Sequence, residues 1–188
     1  MHDHGIPSEV LVGYDIRIAQ SPATASTVDP DRWWRPDSVI DFCENTFTMS
    51  GMLDTLHQVE ELRSNLGSVP HVIVAITVST TAWTDRESKA WFSIWHNPNN
   101  PSSRPPLIPL PETIRATSTL LGYDVADRWL TSAIHNCDEV VEIDRLGASF
   151  TDHHLIATDV DAFAIAQVAN ASIADHAPFF VYGVWKLR

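Results

Sequence analysis

The sequence predicts a single α+β domain, a mainly antiparallel sheet flanked by helices, and three observations predict it. Short β-branched or alternating apolar runs recur at 10–19, 71–83, 89–97, 139–143 and 178–187. Two longer stretches, near 50–66 and 159–174, carry helical spacing or helix-start chemistry instead. The order mixes the two types without the strand–helix–strand rhythm of a parallel sheet. At 188 residues the chain suits one core, burying roughly two thirds of its unfolded surface. Residues 1–8 read as a flexible arm and 9–188 as the domain.

In "VLVGYDIRIA" (10–19), Val12, Tyr14, Ile16 and Ile18 alternate with Gly13, Asp15 and Arg17, the period of a half-buried strand. The following "QSPATASTVDPDRWWRPDS" holds three prolines and no periodicity, so it reads as a long loop rising into a helix near Asp37. After Ser50, the residues Met52, Leu56, Val59, Leu62 and Leu66 recur at intervals of three and four, with Gly67 placed as a stop. The outer face of that helix would carry Asp54, Glu60 and Glu61. "HVIVAITVSTTAW" (71–83) is nearly all β-branched or apolar, as a central strand covered on both faces should be. "KAWFSIWHN" (89–97) follows the polar turn "TDRES", for which a hairpin is the simplest connection.

Six prolines between Pro98 and Pro111 forbid a helix or central strand there. The flanking parts are too small to fold alone, so 98–111 reads as a surface loop rather than a linker. Residues 112–121 suit a helix or an extended segment, "EVVEI" (139–143) a short strand, and "PFFVYGVWKL" the last strand. The helix between them, Asp159 to about Ala174, opens with Asp159 and Asp161, whose charge favours the free N–H groups of a first turn. Phe163, Ala164, Val168 and Ala169 would form its packing stripe. One internal echo occurs: "LVGYDI" (11–16) and "LLGYDV" (120–125) agree at four of six positions. Six residues are too few to establish a duplication, and two strands with similar pairing needs account for them.

Charge restricts function more than any motif. The chain carries 24 acidic and 12 basic side chains, two of the latter lysines. Residues 1–61 hold eleven acids and three bases, 62–137 five and six, and 138–188 eight and three. Acid therefore gathers toward both ends, which disfavours nucleic acid and would steer a basic partner to a shared negative face. No run approaches the ~20 apolar residues of a membrane span, and "MHDHGIPSEV" has neither a basic nor an apolar leader segment, so a cytoplasmic location is expected. Cys43 and Cys137 stand in no zinc or disulfide spacing and read as core thiols.

"FTDHHLIATDVDAF" (150–163) is the densest cluster of titratable residues. Adjacent histidines on an extended segment point to opposite sides, so His153 and His154 do not form the i, i+4 pair of a helical metal site. The remaining histidines show no diagnostic metal spacing, and no GxSxG, GxxxxGK[ST] or GxGxxG occurs. No cofactor and no metal is expected. Cys137 has His135 two residues away, a weak signal for a thiol site, whose partners are joined by the fold. Of seven tryptophans, Trp83, Trp91, Trp95 and Trp185 lie in predicted strands, where core packing explains them. Trp33 and Trp34 stand with Arg32 and Arg35 in a proline-flanked loop, and Trp and Arg are the residue types most enriched in binding hot spots.

"LLGYDVADRWLTSAIHNC" and "DHAPFFVYGVWKL" together resemble small acidic bacterial proteins of the immunity type, encoded beside secreted toxins. The resemblance covers about 70 residues and carries no catalytic role, so Gly122, Tyr123, Asp124, Asp127 and Asn136 are as plausibly structural as functional. It implies a stoichiometric binder of a protein partner. The expected binding face combines Glu60, Glu61, Asp138, Glu139, Glu142 and Asp144, with Trp33 and Trp34 as anchors. The alternative expectation is a hydrolase, metal-dependent or using a base drawn from Asp152, His153, His154 and His176.

Overall fold

The computed structural model describes residues 8–18, 55–66, 71–81, 83, 108–127, 132–134, 146–153 and 155–188. Their elements are, in order, β1 (Glu9–Ile18), α1 (Leu56–Leu66), β2 (His71–Ser79), α2 (Glu112–Arg115), β3 (Thr119–Ala126), α3 (Asp159–Ser172) and β4 (Phe180–Lys186). The strands form one four-stranded antiparallel sheet in the order β1-β2-β4-β3, which makes this an α+β domain. No helix among the described residues is long and apolar enough to cross a membrane.

β2 is interior, and Val74, Ala75, Ile76, Thr77 and Val78 are each at most 5% exposed. Alternate side chains point to opposite faces of a sheet, so both faces are covered here, as the unbroken apolar run required. Val74, Ile76 and Val78 pack with Val10, Phe180 and Tyr182 on one face. Ala75 packs on the other with Tyr14, Ile16 and Val59. Both lateral edges of β2 are occupied, by β1 and β4. The expected hairpin partner, 89–97, lies outside the described residues, as does 139–143.

In β1 the strict alternation fails at one point. Leu11 faces Thr77 and Gly13 faces Ile76, so Val12 is an inserted residue, a β-bulge. Two residues against one reverse the facing of everything beyond. Val10 and Val12 therefore join the first face, whereas Tyr14 and Ile16 join the helix-bearing face. The expected single stripe from Val12 to Ile18 is corrected accordingly. Asp15 is turned onto the first face and buried.

The same event recurs in β3. Leu120 faces Trp185 and Gly122 faces Val184, leaving Leu121 inserted. Tyr14 and Asp15 oppose Ala75 and Val74, as Tyr123 and Asp124 oppose Gly183 and Tyr182. In the central ladder, Val74↔Lys186 and Val78↔Tyr182 flank Ile76↔Val184 symmetrically. Exchanging the β1–β2 and β3–β4 pairs thus maps the sheet's pairing onto itself about Ile76 and Val184. The sequence echo marks the two bulged outer strands of this repeat.

Residues 108–118 connect the halves across the helix-bearing face. Leu11 N donates to Ile108 O at 2.8 Å beside β1, and Leu110 is buried with Tyr14, Ile16 and Val59. The end of the proline-rich segment is thus packed against the sheet, while 98–107 lie outside the described residues. The expectation for 112–121 resolves into both alternatives, a short helix and then a strand.

α1 is shorter than its periodicity suggests, because its start is set by a capping box. Thr55 Oγ1 accepts from Gln58 N at 3.3 Å and Gln58 Oε1 accepts from Thr55 N at 3.0 Å. Val59 is fully buried and Leu62 packs beside it, but Leu56 is exposed. α3 is capped by Thr158, whose side chain accepts from Asp161 N. Its buried residues are Ala162, Ile165, Ala166 and Ala169, with Phe163 and Val168 at the border and Ala164 exposed. Of the expected stripe, Ala169 is buried and Phe163 and Val168 pack at its border, whereas Ala164 is exposed and Ala162, Ile165 and Ala166 form the rest of the core contact, since a helix apolar on nearly every side offers no periodic contrast to orient it.

Candidate functional site

Of the residues expected to bind a partner, Glu60 and Glu61 are described, and both stand on the outer face of α1. Val59 fixes that face, because its burial against β1 turns the following two positions outward. Arg63 Nη1 reaches Glu60 at 3.4 Å and His57 Nε2 reaches Glu61 at 3.5 Å, all four side chains being at least half exposed. Exposed pairs of this kind contribute about 0–1 kcal/mol, so either carboxylate can exchange its neighbour for a partner's cation at small cost. Trp33, Trp34, Asp138, Glu139, Glu142 and Asp144 lie outside the described residues.

A second arrangement surrounds the end of β3. Asp127 is 1% exposed, and its Oδ2 lies 3.1 Å from Nδ1 of His176, a half-exposed imidazole in the turn after α3. Tyr182 donates its hydroxyl to Asp127 O at 3.2 Å. Burial pushes that phenol well above its ordinary range, reinforced by the charges of Asp127 and Asp124. Asp124 Oδ1 accepts from Ser132 Oγ and Val125 N, each at 2.8 Å. These bonds join β3, β4 and the 132–134 turn. A buried carboxylate that orients an accessible imidazole is also the geometry of a general base.

Among the residues left open between structure and function, Gly122 is structural. Its φ of +145° is one L side chains rarely adopt, and a Cβ there would lie 2.7 Å from Leu155 Cβ and 2.9 Å from Ile156 O. Tyr123 exchanges backbone hydrogen bonds with Ile156, both at 2.8 Å, which docks the 150–156 segment on the outer edge of β3. Asp124 ties β3 to the turn, and Asn136 lies outside the described residues.

The alternative set is only partly joined. His176 meets Asp127, a partner the sequence did not suggest, since the two are 49 positions apart. Asp152 and His153 occupy a turn in which Thr151 Oγ1 accepts from His153 N at 3.3 Å. His154 lies outside the described residues, and no group of three or more His, Cys, Asp or Glu among the described residues could hold a metal ion.

One network escaped the sequence reading. Glu9 accepts from Thr77 Oγ1, from Trp185 Nε1 at 3.1 Å and from Arg115 Nη2 at 2.5 Å. The Arg115 guanidinium also lies 4.9 Å from the Trp185 ring centroid, a cation–π distance. Gly183 admits this cluster, since a Cβ there would stand 2.7 Å from Thr77 Oγ1. Four segments meet here, β1, β2, α2 and β4, and no local spacing announces such a meeting. Its geometry pins the 108–118 crossing to the sheet. Burial, then the charges of Asp159 and Glu9, raise the nearby Tyr123 phenol, with Arg115 opposing. No protein-family model, curated protein or solved structure matches the chain.

Proposed function

We propose that this protein is a small acidic binding protein that neutralises a protein partner, an immunity protein against a bacterial toxin with a basic active-site surface. The supporting observation is the placement of charge: a net −12 chain whose described α1 carboxylates stand outward in weak, exchangeable pairs. Toxins that attack nucleic acid need positive charge to hold phosphate, and an acidic inhibitor competes for that same surface. Trp33 and Trp34 serve as anchors in this reading, with Asp138, Glu139, Glu142 and Asp144 extending the negative face. Co-purification with the product of the adjacent gene, and protection of cells that express that product, test the proposal. A partner-free protein whose deletion leaves cells no more sensitive would overturn it.

The second reading, a hydrolase, draws support from Asp127 and His176. Elemental analysis of untagged protein and turnover of a generic ester test it. A stoichiometric transition metal, or turnover abolished in His176→Gln, would favour it; neither would end it.

A further inference from the structure

The bond between Asp127 and His176 runs from the core to the surface, since the carboxylate is 1% exposed and the imidazole 46%. Nδ1 faces Asp127 Oδ2 at 3.1 Å. Among the described residues nothing hydrogen-bonds the other ring nitrogen, Nε2. A neutral imidazole has one N–H and one lone pair, and an ionised carboxylate only accepts. The pairing therefore places the proton on Nδ1 and leaves the lone pair on Nε2. The turn that carries the ring is tied on both sides of it. Ala177 N donates to Ile173 O at 3.2 Å, Phe179 N donates to Asn170 Oδ1 at 2.7 Å, and Asn170 Nδ2 donates to Phe179 O at 3.2 Å.

The hydroxyls of the same cluster are engaged elsewhere. Ser132 donates to Asp124 Oδ1 at 2.8 Å and Tyr182 to Asp127 O at 3.2 Å. Neither is hydrogen-bonded to His176, as a nucleophile awaiting its base would be, which leaves Nε2 itself as the reacting atom. We propose that His176 Nε2 is a nucleophile that accepts an acyl group from neutral activated donors such as aryl esters, with Asp127 as its positioning residue. Nε2 forms the bond to the acyl carbon, the ester C–O bond breaks, and the aryloxide leaves with its electron pair. The ring becomes an acylimidazolium, whose positive charge the Asp127 carboxylate stabilises. Water then attacks the acyl carbon and the C–N bond breaks back onto Nε2; the carboxylic acid departs and the second proton of the water goes to solvent. Anionic donors are disfavoured, because Asp127 and the preceding residue, Asp175, bring like charge to the ring. The proposal rests on the hydrolase reading, which it deepens by naming the reacting atom and the substrate class.

His57 is an internal control in the same chain, with a side chain 82% exposed and Nε2 turned toward Glu61 at 3.5 Å. Exposure alone favours His57, whereas orientation favours His176. The full chain is treated with diethyl pyrocarbonate, a neutral donor whose ring adduct survives peptide mapping, and adducts at the two histidines are timed by mass spectrometry. His176 is expected to react at least about fivefold faster than His57, and Asp127→Asn to slow His176 about tenfold while leaving His57 unchanged. A long-range proton–nitrogen correlation spectrum separates orientation from folding: the neutral His176 ring should carry its proton on Nδ1 in the wild type and on Nε2 in Asp127→Asn. The comparison of His176 with His57 in the wild type needs no variant, so it decides the matter even if Asp127→Asn fails to fold. The proposal is overturned if His176 reacts no faster than His57, if the wild-type ring carries its proton on Nε2, or if a folded Asp127→Asn reacts as the wild type does. Such a result leaves the hydrolase reading to ester turnover and elemental analysis, since a general base or a metal would turn over nitrophenyl acetate with no adduct on Nε2.

Discussion

The halves β1–α1–β2 and β3–α3–β4 share a pairing register and differ in how their helices are used. α1 sinks Val59 completely and turns His57, Glu60, Glu61 and Arg63 outward. α3 buries four side chains and has no charged residue from Ala162 to Ser172. One scaffold thus carries a charged, lightly anchored helix and an apolar, deeply anchored one. Among the described residues, the second half holds more of the helix-to-sheet core, and the first presents more adjustable charge.

If that contrast is right, truncations in the two helices should differ. Ile165→Ala should cost about 3–4 kcal/mol, since it empties a fully buried site, and Val59→Ala about 2 kcal/mol. Urea midpoints at constant slope give both values. Equal losses would break the comparison.

Gly122→Ala attacks the shared bulge. With φ at +145° and contacts of 2.7 and 2.9 Å to Leu155 and Ile156, it should cost about 2–3 kcal/mol. Its thermal midpoint should fall without any change in the surface properties of α1. A variant as stable as the wild type would show that the β3 bulge is not held in this conformation.

The elements legible in the sequence were those with a strong local pattern. β2 announced itself because a strand covered on both faces needs no polar alternation, and α3 because Asp159 and Asp161 write a helix start. The bulges were not legible. An inserted residue leaves the alternation of types intact while reversing which face it serves, so Val12 seemed to belong with Tyr14. The α1 start was available in Thr55 and Gln58, but the longer periodicity from Met52 masked it. The candidate site was the least legible part. Asp127 with His176, and Glu9 with Thr77, Arg115 and Trp185, are partners only because the sheet order brings distant segments together.

Tyr182→Phe sharpens the comparison at the second half. Loss of its bond to Asp127 O should cost about 1 kcal/mol at neutral pH. At alkaline pH that cost shrinks. The folded protein raises this phenol above its ordinary 10.0, so that contribution is fully present below pH 10 and is lost as pH rises through the folded value. Stability of the wild type should therefore fall more steeply above pH 10 than that of the variant. Parallel curves would mean that Tyr182 ionises without penalty.

The smallest effect on stability and the most direct bearing on function belong to α1. Glu60→Gln/Glu61→Gln should change unfolding free energy by less than about 0.5 kcal/mol, as exposed pairs require. The decisive measurement is the association rate with the adjacent gene's product across a range of salt concentrations. The wild-type rate should fall steeply as salt rises, and the double variant should associate more slowly, with a shallower dependence and a nearly unchanged dissociation rate. A wild-type rate indifferent to salt, or a double variant that associates as fast as the wild type, would contradict an acidic face that captures a basic partner.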